Sequence, residues 1–136
     1  MVLGIEGSPR PKGNSHRLLQ ALMAGVHEAG VSSFQAHLRD YRFDFADTRP
    51  RGWSSRLAGQ GRKAIIGAIA EQEEKKDMGF ALEAMRLPLQ ALGYEILAEF
   101  PVLRLFDRGI ISQETDLLKQ AKTAGRELAM SVDQRL

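Results

Sequence analysis

Between Gly7 and Leu19 the chain reads Gly-Ser-Pro-Arg-Pro-Lys-Gly-Asn-Ser-His-Arg-Leu-Leu, and no other stretch gathers so many hydrogen-bond donors. Ser8 and Ser15 carry hydroxyls, Asn14 an amide, and Arg10, Lys12 and Arg17 cations, while Gly13 lets the backbone come close to whatever they surround. The apolar run Val2-Leu3-Gly4-Ile5 precedes this block, and a helical pattern follows it. A loop passing from strand to helix aims its donors at one point, and the first four N–H groups of that helix have no intrahelical partners. Such a site grips an anion, phosphate above all. The same residues also have a purely structural use, in which Asn14 or Ser15 caps the helix and Arg10 and Lys12 point into water.

Other groups with chemical capacity are more scattered. Glu71, Gln72 and Glu73 follow an apolar run at the end where ligands of open αβ sheets bind, and line either a pocket or a solvated turn. His16, His27 and His37 have no metal-ligand spacing; His16 is near enough to the loop to meet a phosphate, and all three read as surface histidines with no metal site. Trp53 offers a flat face for stacking or for packing at an interface. With no cysteine there is no disulfide, no thiolate nucleophile and no iron–sulfur cluster.

The elements that must position these groups follow from periodicity. Met1 to Glu6 suits a buried parallel strand. Leu18, Leu22, Val26 and Ala29 then mark one face of a helix that Gly30 ends. Ser33 to Leu38 reads as an edge strand, which completes a βαβ unit. From Arg39 to Arg62 the pattern fails. It resumes with Lys63 to Ala70, the strongest candidate for a central strand, and a charged turn over Glu71 to Asp77, with Asp77 as a cap. Met78, Leu82, Met85, Leu89 and Leu92 form the seam of the next helix, which contains Pro88 and ends at Gly93. Tyr94 to Phe106 is a further strand region, and Ser112 and Glu114 open a last helix with Leu117, Ala121, Ala124 and Leu128 inward.

Composition sets bounds. A chain of 136 residues forms one domain, 1–136, with 43% hydrophobic and 26% charged residues, as in folded soluble proteins. The net charge of +2, from 19 basic and 17 acidic residues, gives no global field for nucleic acid. Arg49, Arg51, Arg56, Arg62 and Lys63 form a local basic stretch, best read as solvated surface. No apolar run reaches membrane-spanning length and no leader precedes the first strand, so a cytoplasmic protein is expected.

The order of elements and two blocks of residues resemble the flavodoxin-like NADPH-dependent FMN reductases, and within them the iron–sulfur flavoprotein group. Gly7 to Leu19 looks like that family's phosphate loop, and Glu71 to Glu95 like its C-terminal helical segment. The resemblance implies a flavodoxin-like α/β three-layer sandwich with a short parallel sheet. It assigns Ser8, Arg10, Asn14 and Ser15, with the Lys12 and Gly13 backbone between them, to the FMN phosphate, and NAD(P)H as reductant; Glu71, from its place after the central strand, is the further candidate for the flavin pocket. Two family features are missing: a further strand-helix unit that would carry the ring-facing loop, and the cysteine cluster. Without that strand, Ala64 to Ala70 pairs directly with Val2 to Glu6, or another chain fills the edge, which favours a homodimer or higher oligomer.

Two functions therefore fit: an FMN-binding flavoprotein related to NAD(P)H-dependent reductases, or a shortened, non-catalytic phosphate-binding or oligomeric module. Neither involves nucleic acid or a membrane.

Overall fold

A computed structural model describes residues 1–40 and 60–133 of the protein. The expectations for the irregular stretch after Asp40, including Trp53 and the arginines from 49 to 56, lie outside the described residues. The first strand, β1 (Val2–Glu6), buries Val2, Gly4 and Glu6 and exposes Leu3 and Ile5, the alternation a pleated strand imposes. Helix α1 spans Asn14–Glu28. It ends in a paired closure, Gly30 N–H to His27 C=O and Val31 N–H to Val26 C=O, with Gly30 at φ 73°. Strand β2 (Ser33–His37) lies parallel to β1 in a register that sets Val2 beside Ser33 and Glu6 beside His37.

Strand β3 (Lys63–Ile69) is parallel to β4 (Glu95–Val102), with a register shift between Ala64 and Ile65 and Pro101 opposite Ala68. Helix α2 (Glu83–Ala91) connects them, and α3 (Thr115–Asp133) follows β4. Among the described residues the strands form two separate pairs, β1–β2 and β3–β4. Direct pairing of β3 with β1, one of the two expected arrangements, does not occur there. For the same reason β3 is less buried than a central strand: only Ile66 is fully covered.

Helices α1 and α3 unite the two pairs. Leu18 of α1 and Ala121 and Ala124 of α3 pack with Phe100, Val102, Leu105 and Ile111 in a cluster beneath β3–β4. Farther along the same helices, Met23, Val26 and Ala129 close over Val2 of β1. The helices cross with their backbones in contact. A Cβ on Gly25 would lie 1.8 Å from the Lys122 carbonyl oxygen, and one on Gly125 would lie 1.9 Å from that of Leu22. On β4, Ala98, Phe100 and Val102 face α1 and α3, so alternation turns Glu99 to the other face, where Arg86 of α2 pairs with it. The result is helix, sheet, helix.

Helix α2 is shorter than the seam suggests. Gly79, at φ 62°, separates a 3-10 turn (Lys75–Met78) from Glu83, and no side chain caps either piece, so Asp77 is not a cap. Only Leu82 of the seam is fully buried, while Met78, Met85, Leu89 and Leu92 are half-buried. The last helix starts at Thr115, because Ile110–Gln113 forms a 3-10 turn anchored by the wholly buried Ile111.

Candidate functional site

The loop after β1 forms one wall of a cleft of about 290 Å³. Ser8, Arg10, Gly13, Asn14 and Ser15 line it from this side, while Ile69, Ala70 and Glu71 come from the end of β3, and Leu105, Phe106, Asp107 and Arg108 from the loop after β4. Six of the seven residues singled out in sequence therefore meet there. Lys12 does not line the cleft; it stands exposed at φ 57°, a left-handed conformation unusual for a lysine.

Each side chain has a distinct place. Gly13, and not Asn14 or Ser15, is the N-cap residue of α1, and no side chain caps the helix. The N–H groups of its first turn are thus left to whatever enters the cleft. Ser8 Oγ accepts the backbone N–H of Arg10 at 3.3 Å, which bends the loop back on itself. The guanidinium of Arg10 has no hydrogen bond or ion pair among the described residues.

The Asn14 amide does not cap α1 but ties its start to the loop after β4. Its Oδ1 accepts the N–H groups of Gly109 at 2.8 Å and Ile111 at 3.4 Å, while its Nδ2 donates to the Asp107 carbonyl at 3.0 Å. An amide has two N–H donors, so one remains for a ligand. Arg108 reinforces the tie by donating to the Pro11 carbonyl. On the far side, Arg104 N–H donates to Gln72 C=O at 3.1 Å and Leu105 N–H to Ala70 C=O at 3.4 Å. Arg104 adopts φ 61°, so left-handed non-glycine residues stand in two of the loops around the cleft.

Charge in the cleft is divided. Arg10 and the start of α1 make the loop side positive, Glu71 and Asp107 are acidic, and Arg108 sits beside Asp107. An anion is favoured at the loop and helix end. At the opposite rim stands Phe106, 62% exposed. A large aromatic side chain left in solvent beside a cleft of mixed polar and apolar lining suits a flat ligand.

Comparison with solved structures matches the chain to the crystal structure of the flavodoxin-like domain of a Synechococcus sp. protein. The TM-score is 0.53, the sequence identity 19%, and the match covers 98% of this chain and 99% of that one. The fold is flavodoxin-like. No protein-family model matches the chain, and no curated protein does. In a flavodoxin-like sheet, ligands bind beyond the carboxyl ends of the strands, and this cleft is built from the segments directly after β1, β3 and β4.

Sequence reasoning missed Phe106, Asp107 and Arg108, which carry no motif; the only signal was their place just after a strand. It also missed a second cluster. His16, in the first turn of α1, and His37, at the end of β2, both direct Nδ1 to Oε2 of Glu6, at 3.0 and 2.8 Å. The two rings stand 5.6 Å apart. They are not surface histidines: their side chains are 17% and 22% exposed, and that of Glu6 is 1% exposed. His27 is exposed, as expected.

Among the described residues no helix is long and apolar enough to cross a membrane.

Proposed function

We propose that the protein binds FMN, with the phosphate held between the Ser8–Ser15 loop and the first turn of α1. The observation that carries this reading is the conjunction of an uncapped helix start, an Arg10 guanidinium with no hydrogen bond or ion pair among the described residues, and the hydroxyls of Ser8 and Ser15, all along a single cleft. These groups are donors, which is what a phosphate dianion requires. The cleft is at the small end for ligand pockets, which run roughly 300–1,000 Å³. The flavin ring therefore lies partly outside, against Phe106. FMN when bound supplies hydride and electron transfer; the protein binds and orients it.

Flavin fluorescence tests the reading. Titration of purified protein with FMN gives saturable binding that Arg10→Ala weakens at least about tenfold, as loss of a charge-assisted contact would. No saturable binding refutes it. The resemblance to NAD(P)H-dependent reductases extends the reading to catalysis. FMN-dependent oxidation of NADH or NADPH supports that extension, whereas FMN binding without turnover supports the non-catalytic module.

A second reading concerns self-association. Among the described residues β1 pairs on one side only, and Leu3, Ile5 and Phe34 are more than half exposed on one face of β1–β2. We infer that this face meets a second copy of the chain, because an apolar face beside an open strand edge invites association. Light scattering after gel filtration tests it: a dimer is expected, and Ile5→Lys converts it to monomer. A monomeric wild-type protein refutes it.

A further inference from the structure

We propose that Glu6, His16 and His37 form a binding site for a divalent transition metal of the zinc type, separate from the phosphate cleft. The fold builds this site from three elements. Parallel register sets the last residue of β1 beside the last residue of β2, so Glu6 and His37 point to the same face. The first turn of α1 covers that face and brings His16 onto it.

The donor set is two imidazole nitrogens and one carboxylate oxygen, with one ligand atom from each residue lying within 4.8 Å of the others. Such a set suits zinc, cobalt or nickel, and three protein ligands leave a position open for water or substrate. The two Nδ1 atoms are 3.0 and 2.8 Å from Oε2. A tetrahedral site with bonds near 2.0–2.1 Å has edges of roughly 3.3 Å, so a few tenths of an ångström of ring movement admits the ion. Both side chains are partly exposed rather than fully packed.

A second observation points to a ligand at the same place. The other oxygen of Glu6, Oε1, is buried and has no hydrogen-bond partner among the described residues; Arg39 Nη1 stands 3.9 Å from it. A buried carboxylate oxygen without a hydrogen bond is costly, and such groups are rare in folded proteins. A metal that the Glu6 carboxylate chelates through both oxygens would satisfy Oε1, whereas one held by Oε2 alone leaves it to Arg39. Arg39, which also donates to the Ser8 carbonyl at 3.4 Å, stays on the Oε1 side, away from the two imidazoles.

None of the three residues lines the phosphate cleft, so the proposal stands apart from FMN binding. Titration of tag-free protein with Co²⁺, followed by its visible d–d absorption and reversed by Zn²⁺, reads the site directly. One ion per chain is expected. His16→Ala and His37→Ala each weaken binding at least about tenfold, whereas His27→Ala, on the exposed side of α1, leaves it unchanged. Circular dichroism of each variant confirms that the fold is retained, and His37→Gln replaces His37→Ala if it is not. Absence of saturable binding by the wild-type protein overturns the proposal. So does a His16→Ala/His37→Ala double variant that binds Co²⁺ as the wild type does.

Discussion

Asn14 Oδ1 accepts the backbone N–H of Gly109 at 2.8 Å, and this bond joins the loop after β1 to the loop before α3 across more than ninety residues of sequence. The cleft keeps its shape because one side chain serves both walls. Replacing Asn14 with Ala leaves the Gly109 and Ile111 N–H groups and the Asp107 carbonyl without their partner. We expect a loss of about 1–3 kcal/mol of stability in urea denaturation. Asn14→Asp restores the acceptor but sets a negative charge at the helix start, so it lowers FMN affinity more than stability.

Much of this arrangement was legible in the sequence. Gly7 to Leu19 marked the loop that walls the cleft, and alternation and helical spacing located β1, α1, β2, β3 and α3. What sequence could not show was what each polar group does once neighbours arrive. Asn14 looked like a cap, yet the fold spends its amide on a distant loop, and Gly13 takes the cap position. Glu6 and His37 are 31 positions apart, and only parallel pairing makes the ends of β1 and β2 neighbours. Phe106 and Arg108 joined the cleft only because β4 ends where β1 and β3 end. The seam of α2 suggested a buried helix, but its exposure depends on how much sheet lies beneath it.

The crossing of α1 and α3 leaves no room for a side chain at Gly25 or Gly125. A methyl group at either position overlaps a carbonyl of the opposite helix, where neither backbone can yield without parting the helices. Gly25→Ala and Gly125→Ala are each expected to cost more than about 3 kcal/mol, at or beyond the upper range for overpacking. Gly79→Ala has open space around it but a left-handed backbone, and costs less. Thermal melts of the three variants rank them.

Lys12 pays for its position in backbone strain. A left-handed conformation costs an L-residue about 1–2 kcal/mol, and glycine adopts it freely at an entropic cost of about 0.5–1 kcal/mol. Lys12→Gly is therefore expected to raise stability by up to about 1 kcal/mol. Because Lys12 lies outside the cleft lining, FMN affinity changes far less than in Arg10→Ala.

Stability should fall in acid for an identifiable reason. Hydrogen bonds from Lys122 and then Arg126 hold the Glu28 carboxyl below its ordinary value of 4.5. The Arg86 hydrogen bond does the same for Glu99, against an opposing effect of burial. A carboxyl whose pKa is lowered by folding stabilises fully above its unfolded pKa, and loses that contribution as pH falls through the lowered value. Melting temperature is thus expected to decline as pH falls below the ordinary carboxyl value of 4.5, and less steeply in Glu28→Gln/Glu99→Gln.

The central claim is that the Ser8–Ser15 loop recognises a flavin phosphate, and comparing FMN with riboflavin tests it most directly, since the two differ only in that group. FMN is expected to bind at least about tenfold more tightly than riboflavin, with Arg10→Ala narrowing the difference. Phe106→Ala weakens both ligands alike, by about 0.5–1.5 kcal/mol. Equal affinity for FMN and riboflavin in the wild-type protein, or no binding of either, would contradict the account.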